Sequence, residues 1–110
     1  MCLAAQADRL FYVHLNDNGR EWDWDMLPGA VNFWDLIEVV FYLDRLDWEG
    51  WLAYDVVTRN GDVVESMAAS IGIVETVLEL VDKIGRERLQ GFVDEGIPAR
   101  AFQQLVGALL

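Results

Sequence analysis

Two short apolar runs separated by a helical pattern constrain this chain more than any other feature. Residues 10–16, Leu10-Phe11-Tyr12-Val13-His14-Leu15-Asn16, read as a strand that ends in the polar turn Asn16-Asp17-Asn18-Gly19. Alternation puts Phe11, Val13 and Leu15 on one face, and Tyr12, His14 and Asn16 on the other. Residues 51–57, Trp51-Leu52-Ala53-Tyr54-Asp55-Val56-Val57, repeat the pattern. Leu52, Tyr54 and Val56 share one face, and Trp51, Ala53 and Asp55 the other.

Between the runs, Phe33, Leu36, Ile37, Val40, Leu43 and Leu46 recur at helical spacing. Asn32 is placed to cap this helix over 32–46, and Asp35 suits its first turn. A long helix is expected over 63–84, with Met67, Ile71, Val74, Leu78, Val81 and Ile84 as its core stripe. Gly85 is its expected stop. A short helix is expected over 86–94. Pro98 is suited to open a last helix over 98–109 that carries Phe102, Leu105, Val106 and Leu109.

Strand–helix–strand in this order implies a crossover and two parallel strands. Parallel strands are normally covered on both faces. Two strands and their helices do not supply that cover. The pattern therefore predicts an α/β chain that is part of a larger sheet or barrel, a single incomplete domain over 1–110. Its 110 residues, 54% of them hydrophobic, suffice for a core.

Nineteen acidic residues against eight basic ones give a net charge of -11. That argues against nucleic acid and against anionic membranes as partners. No apolar run approaches the ~18 residues of a membrane span, and no secretory signal is evident. Cys2 is the only cysteine, so no internal disulfide forms, in keeping with a cytoplasmic location. Lys83 is the only lysine, which leaves almost no candidates for lysine chemistry.

The acidity has a local focus. His14, the only histidine, and Asp55 stand near the C-terminal ends of the two strands, on the face away from the helix-packing residues. In a parallel barrel functional groups collect at that end. An imidazole and a carboxylate there are candidate ligands for one divalent ion. Asp23 and Asp25 alternate in the following loop. If that loop is extended, both carboxylates point the same way and are candidates for a second ion. Such oxygen-rich donor sets favour Mn²⁺ or Mg²⁺, with Co²⁺ also suitable. Asn16, Asp17 and Asn18 read rather as turn-formers. An EF-hand spacing from His14 to Asp25 fails because a strand, not a helix, precedes His14.

Trp22-Asp23-Trp24-Asp25-Met26-Leu27-Pro28 resembles the Trp-Asp-x-Asp-x-x-Pro metal loop of the xylose-isomerase-like TIM barrels. His14-Leu15-Asn16-Asp17-Asn18 is similar to their preceding strand end. Gly50-Trp51-Leu52-Ala53-Tyr54-Asp55 is similar to their Gly-Trp-x-x-x-Asp. The resemblance covers about residues 10–85 and is closest to the L-rhamnose isomerase and sugar-phosphate isomerase/epimerase branch. It implies a partial (β/α)8 barrel carrying the seventh and eighth strands. It also implies that His14 and Asp55 bind a structural metal and that Asp23 and Asp25 serve a catalytic one. The implied activity is aldose–ketose isomerisation of a small sugar. Trp22 and Trp24 are candidates to line the sugar pocket, whereas Trp51 is expected in the core.

The family's bridging Glu, its other metal carboxylates and its second His have no counterpart here. No catalytic residue is therefore assigned, and activity is expected only with the rest of the barrel. A sugar epimerase on the same barrel is one alternative. A non-enzymatic βαβ fragment is the other, covering its strand edges by self-association or with a complementary chain.

Overall fold

The computed structural model describes residues 6–19, 25–57, 61–96 and 98–109. Strand β1 (Tyr12–Leu15) is followed by helix α1 (Phe33–Arg45), strand β2 (Trp51–Tyr54) and helix α2 (Val63–Ile84). Helices α3 (Arg86–Glu95) and α4 (Pro98–Leu109) complete the order. The chain is thus α/β, and the strands pair in parallel. Both strands are shorter than their apolar runs. The ladder continues past them through the Trp51 N–H to the Phe11 carbonyl at 3.3 Å and the Asp55 N–H to the Leu15 carbonyl at 3.0 Å.

The register sets Tyr12 against Trp51, Val13 against Leu52, His14 against Ala53 and Leu15 against Tyr54. Leu15 is buried, and Val13, Leu52 and Tyr54 pack beside it against the helical core. That core joins Leu36, Ile37, Val40 and Phe41 of α1 to Val74, Val77, Val81 and Ile84 of α2, with Leu89 of α3. Tyr54 rests under this layer, where burial and the nearby Glu75 carboxylate push its phenol above its usual range.

The other sheet face is bare. Trp51, read from the sequence as a core residue, is 81% exposed. It shares the face of His14 and Asp55, over which no helix lies among the described residues. Phe11 is exposed as well.

Helix α2 differs from its expected stripe. Val74, Val81 and Ile84 are buried, but Ile71 and Leu78 are exposed, while Ser70, Val77 and Leu80 are buried in their place. The helix is apolar around more than half its girth, so periodicity alone does not say which side meets α1. Ser70 is accommodated because its hydroxyl donates to the Ser66 carbonyl at 2.8 Å. Asp62 caps α2 by accepting the Val64 N–H at 2.9 Å. Gly85 ends it at φ 93°, a conformation that a side chain disfavours, and starts α3 directly.

Two contacts fix the bends. Arg86 donates to the Asp44 carbonyl at 2.7 Å and pairs with the Asp44 and Asp47 carboxylates, tying the start of α3 to the end of α1. The Trp48 indole donates to the Leu10 carbonyl at 2.8 Å and lies over Gly50, where an added Cβ would come within 1.9 Å of the ring. Gly50 is therefore needed for close approach. Gly50→Ala is expected to lower stability by about 2 kcal/mol, because the indole moves only by giving up its bond to Leu10. The urea midpoint reads this; an unchanged midpoint would show that the ring is not fixed. Among the described residues, no helix is long and apolar enough to cross a membrane.

Candidate metal centre

Parallel pairing carries His14 and Asp55 to the same bare face at the C-terminal ends of the strands. They are offset rather than directly opposite. His14 pairs with Ala53, and Asp55 lies two residues further on, so the side chains meet diagonally. His14 Nδ1 lies 3.9 Å from Asp55 Oδ2, and the two side chains are 56% and 51% exposed. Tyr12, two residues before His14, sets its ring 5.2 Å from the imidazole.

Neighbouring positions on an octahedral ion with bonds of ~2.1 Å lie about 3 Å apart. The His14–Asp55 pair is about 1 Å wider than that. Both side chains are about half in solvent. An imidazole nitrogen and a carboxylate oxygen are donors of the kind that Mn²⁺, Mg²⁺ or Co²⁺ accepts, but as they stand the two are wider apart than neighbouring positions on such an ion. Among the described residues, no group of three or more His, Cys, Asp or Glu side chains is placed to hold a metal. The described residues thus supply a pair of donors rather than a complete site.

Asp25 joins the same strand ends by a different route. Its carbonyl accepts the Val57 N–H at 2.9 Å, and its Oδ1 accepts Asn16 Nδ2 at 3.0 Å. Its backbone is left-handed at φ 48°, not extended as alternation of the two loop carboxylates requires. Asp23, Trp22 and Trp24 lie outside the described residues.

Asp17 has a scaffold role. It is buried, 5% exposed, and forms an isolated antiparallel bridge with Met26 through two backbone bonds of 2.9 Å. Its carboxylate accepts the N–H groups of Asn18 at 2.8 Å, Val31 at 2.8 Å and Asn32 at 2.7 Å, and the Asn32 side-chain amide at 2.6 Å. Burial alone would raise its pKa. The bonds from Asn32, Val31 and Asn18 outweigh burial and hold the carboxyl below its usual range. Asn32 does stand at the N-cap of α1, but its side chain makes no cap bond. It donates instead to Asp17 and to the Asn18 carbonyl at 2.9 Å. An acidic group from the strand end thus serves the start of α1 in addition to Asp35 in its first turn.

A cleft of about 310 Å³ opens between β1 and the start of α1, lined among others by His14, Asn16, Asp17, Asn18, Asn32 and Asp35. Asn16, read as a turn-former, donates its side-chain amide to Asp25. Its place on the face of Tyr12 and His14 was the available signal, because period two carries it toward the same strand ends.

The fold and site together define an α/β chain with a two-stranded parallel sheet, four helices among the described residues, and a His–Asp pair at the open strand ends. Compared with protein-family models, curated proteins and solved structures, the chain matches none.

Proposed function

We propose that this chain is the C-terminal βα portion of a xylose-isomerase-like barrel and supplies part of a divalent-metal site for aldose–ketose isomerisation. The observation that carries the reading is the approach of His14 and Asp55 on the helix-free face of a parallel pair. In a closed barrel that face turns inward, and that end holds the site. His14 and Asp55 would hold one ion, and Asp23 and Asp25 would serve the second. A bound Mn²⁺ or Mg²⁺ would polarise the oxygens of an open-chain sugar. Asn16 orients Asp25, and Asp17 bridges to Met26 next to it. The amides and carboxylates of the adjoining cleft are of the kind that bonds sugar hydroxyls. Trp22 and Trp24 would supply apolar walls. The remaining ligands would come from strands that this chain does not contain, and sugar turnover would require them.

Mn²⁺ titration of the full chain, followed by electron paramagnetic resonance, tests the reading. Weak binding is expected, weakened about tenfold or more by His14→Ala and by Asp55→Asn. Equal binding by the variants and the parent would overturn the metal assignment. Turnover of rhamnose or xylose by the chain alone would overturn the dependence on further strands.

The bare sheet face favours a second reading. An exposed Trp51 beside Tyr12 on an uncovered two-stranded sheet is also what a partner-binding βαβ module would present.

A further inference from the structure

Three apolar surfaces remain open: the sheet face around Trp51, the α2 stripe of Val64, Ile71 and Leu78, and one side of α4. They differ in charge. Asp55 sits on the sheet face, and Glu75, Glu79 and Asp82 follow the α2 stripe at helical spacing. Two copies of a chain with net charge -11 would meet there with like charges opposed. Helix α4 is the exception. Its sequence PARAFQQLVGAL holds no acidic residue, whereas α1, α2 and α3 each hold several. Its one charge, Arg100, is paired with Glu95.

The open side of α4 carries Phe102, Val106 and Leu109, at i, i+4 and i+7. Ala101, Leu105 and Ala108 of the same helix turn toward the rest of the protein. Phe102 is 55% exposed, and its ring lies 5.1 Å from that of Trp34 on α1. Trp34 is also the lip of a groove of about 370 Å³ between α1, α3 and α4. Ile37, Phe41, Leu89, Phe92 and Leu105 are among its lining residues, and Glu38 is the one carboxylate among the described residues that line it. An aromatic knob thus stands at the edge of an apolar groove.

We propose that a second copy of this chain docks on this face, so that across a two-fold axis each Phe102 meets the groove of the other copy. A knob and a hole side by side make a surface self-complementary, as a two-fold interface requires. The acid-free helix makes it the face where two strongly acidic chains approach at least cost. A twelve-residue helix is only ~18 Å long, so the contact falls short of the ~800 Å² per partner of a tight complex. The dimer is therefore expected in the micromolar range. This surface lies away from the His14–Asp55 pair, and the inference does not rest on the isomerase reading.

Sedimentation equilibrium of the full chain, from about 5 to about 500 µM, tests it. A reversible dimer is expected. Raising salt from about 50 mM to about 500 mM should tighten it, because screening relieves like-charge repulsion without weakening apolar contact. Phe102→Glu and the milder Phe102→Gln and Val106→Gln should each weaken it about tenfold or more, with unchanged circular dichroism. Ile71→Glu and Trp51→Glu should leave it intact. A monomer throughout the range would overturn the proposal. So would a dimer that survives the Phe102 and Val106 changes, one that salt weakens, or one that Trp51→Glu abolishes.

Discussion

Asp17→Ala is expected to destabilise the protein by about 3 kcal/mol and to flatten its response to acid below about pH 4. Hydrogen bonds to a charged group contribute about 1.5–3 kcal/mol each and do not add fully. Asp17 accepts four: three from backbone N–H groups and one from the Asn32 amide. Alanine would leave those donors to find water in a part-buried loop. The native carboxyl titrates below its usual range. Its contribution is therefore complete above the unfolded value of about 3.9 and is lost as pH falls through the lower folded value. Denaturant midpoints measured between about pH 6 and pH 2 for the parent and for Asp17→Ala give the comparison. The parent should lose stability more steeply below about pH 4. Parallel curves would mean that the carboxylate, despite its geometry, does not stabilise the loop. A total stability of about 5–15 kcal/mol makes the expected loss a large fraction of the whole.

The Asp17 network shows where sequence patterns stop. Asn16, Asp17 and Asn18 look like turn residues because short polar side chains bond nearby backbone. Here Asp17 keeps one such local bond, from the Asn18 N–H, but its other partners lie fourteen and fifteen residues away, at the mouth of α1. Composition and local spacing carry no record of that distance. The same limit explains Asn32, whose position at the N-cap was legible but whose amide is drawn off to Asp17.

Element order and helix bounds, by contrast, follow from local periodicity, whereas both strands end short of their apolar runs. The observed α2 and α4 span the residues that the pattern marks, and α1 is one residue shorter at each end. Pro98 and Gly85 stand where a proline can open a helix and a glycine can close one. Faces are read less well than bounds. Trp51 is apolar and sits in a strand, which predicts burial only if something lies over it. Nothing in residues 51–57 tells whether the covering layer belongs to this chain. For the candidate site, alternation was enough to put His14 and Asp55 on one face. Their diagonal offset depends on register, which the pairing partner sets. The conformation of Asp25 was not legible, because its left-handed backbone is held by bonds from Asn16 and Val57, residues of both strand ends.

Phe41→Ala is expected to destabilise the protein by about 4 kcal/mol. The stripe Phe33, Leu36, Ile37, Val40, Leu43 omits Phe41, yet it is among the most buried residues of α1, only 3% exposed. It belongs to the core cluster shared with α2, and its ring meets Tyr42 at 5.2 Å. It also lines the groove beneath Trp34, so it supports α3 and α4 as well. Two strands of four residues, with one face bare, cannot hold themselves together. The helical layer on the other face must stabilise them. Removing the Phe41 ring should therefore melt strands and helices in one transition rather than loosen α1 alone. Urea unfolding followed in parallel by far-ultraviolet circular dichroism and by tryptophan fluorescence reads both layers. Coincident transitions, shifted together to lower urea, are the expected result. A shift in the helical signal that leaves the fluorescence transition in place would show that the surroundings of the tryptophans, Trp34 of α1 among them, do not unfold together with this core.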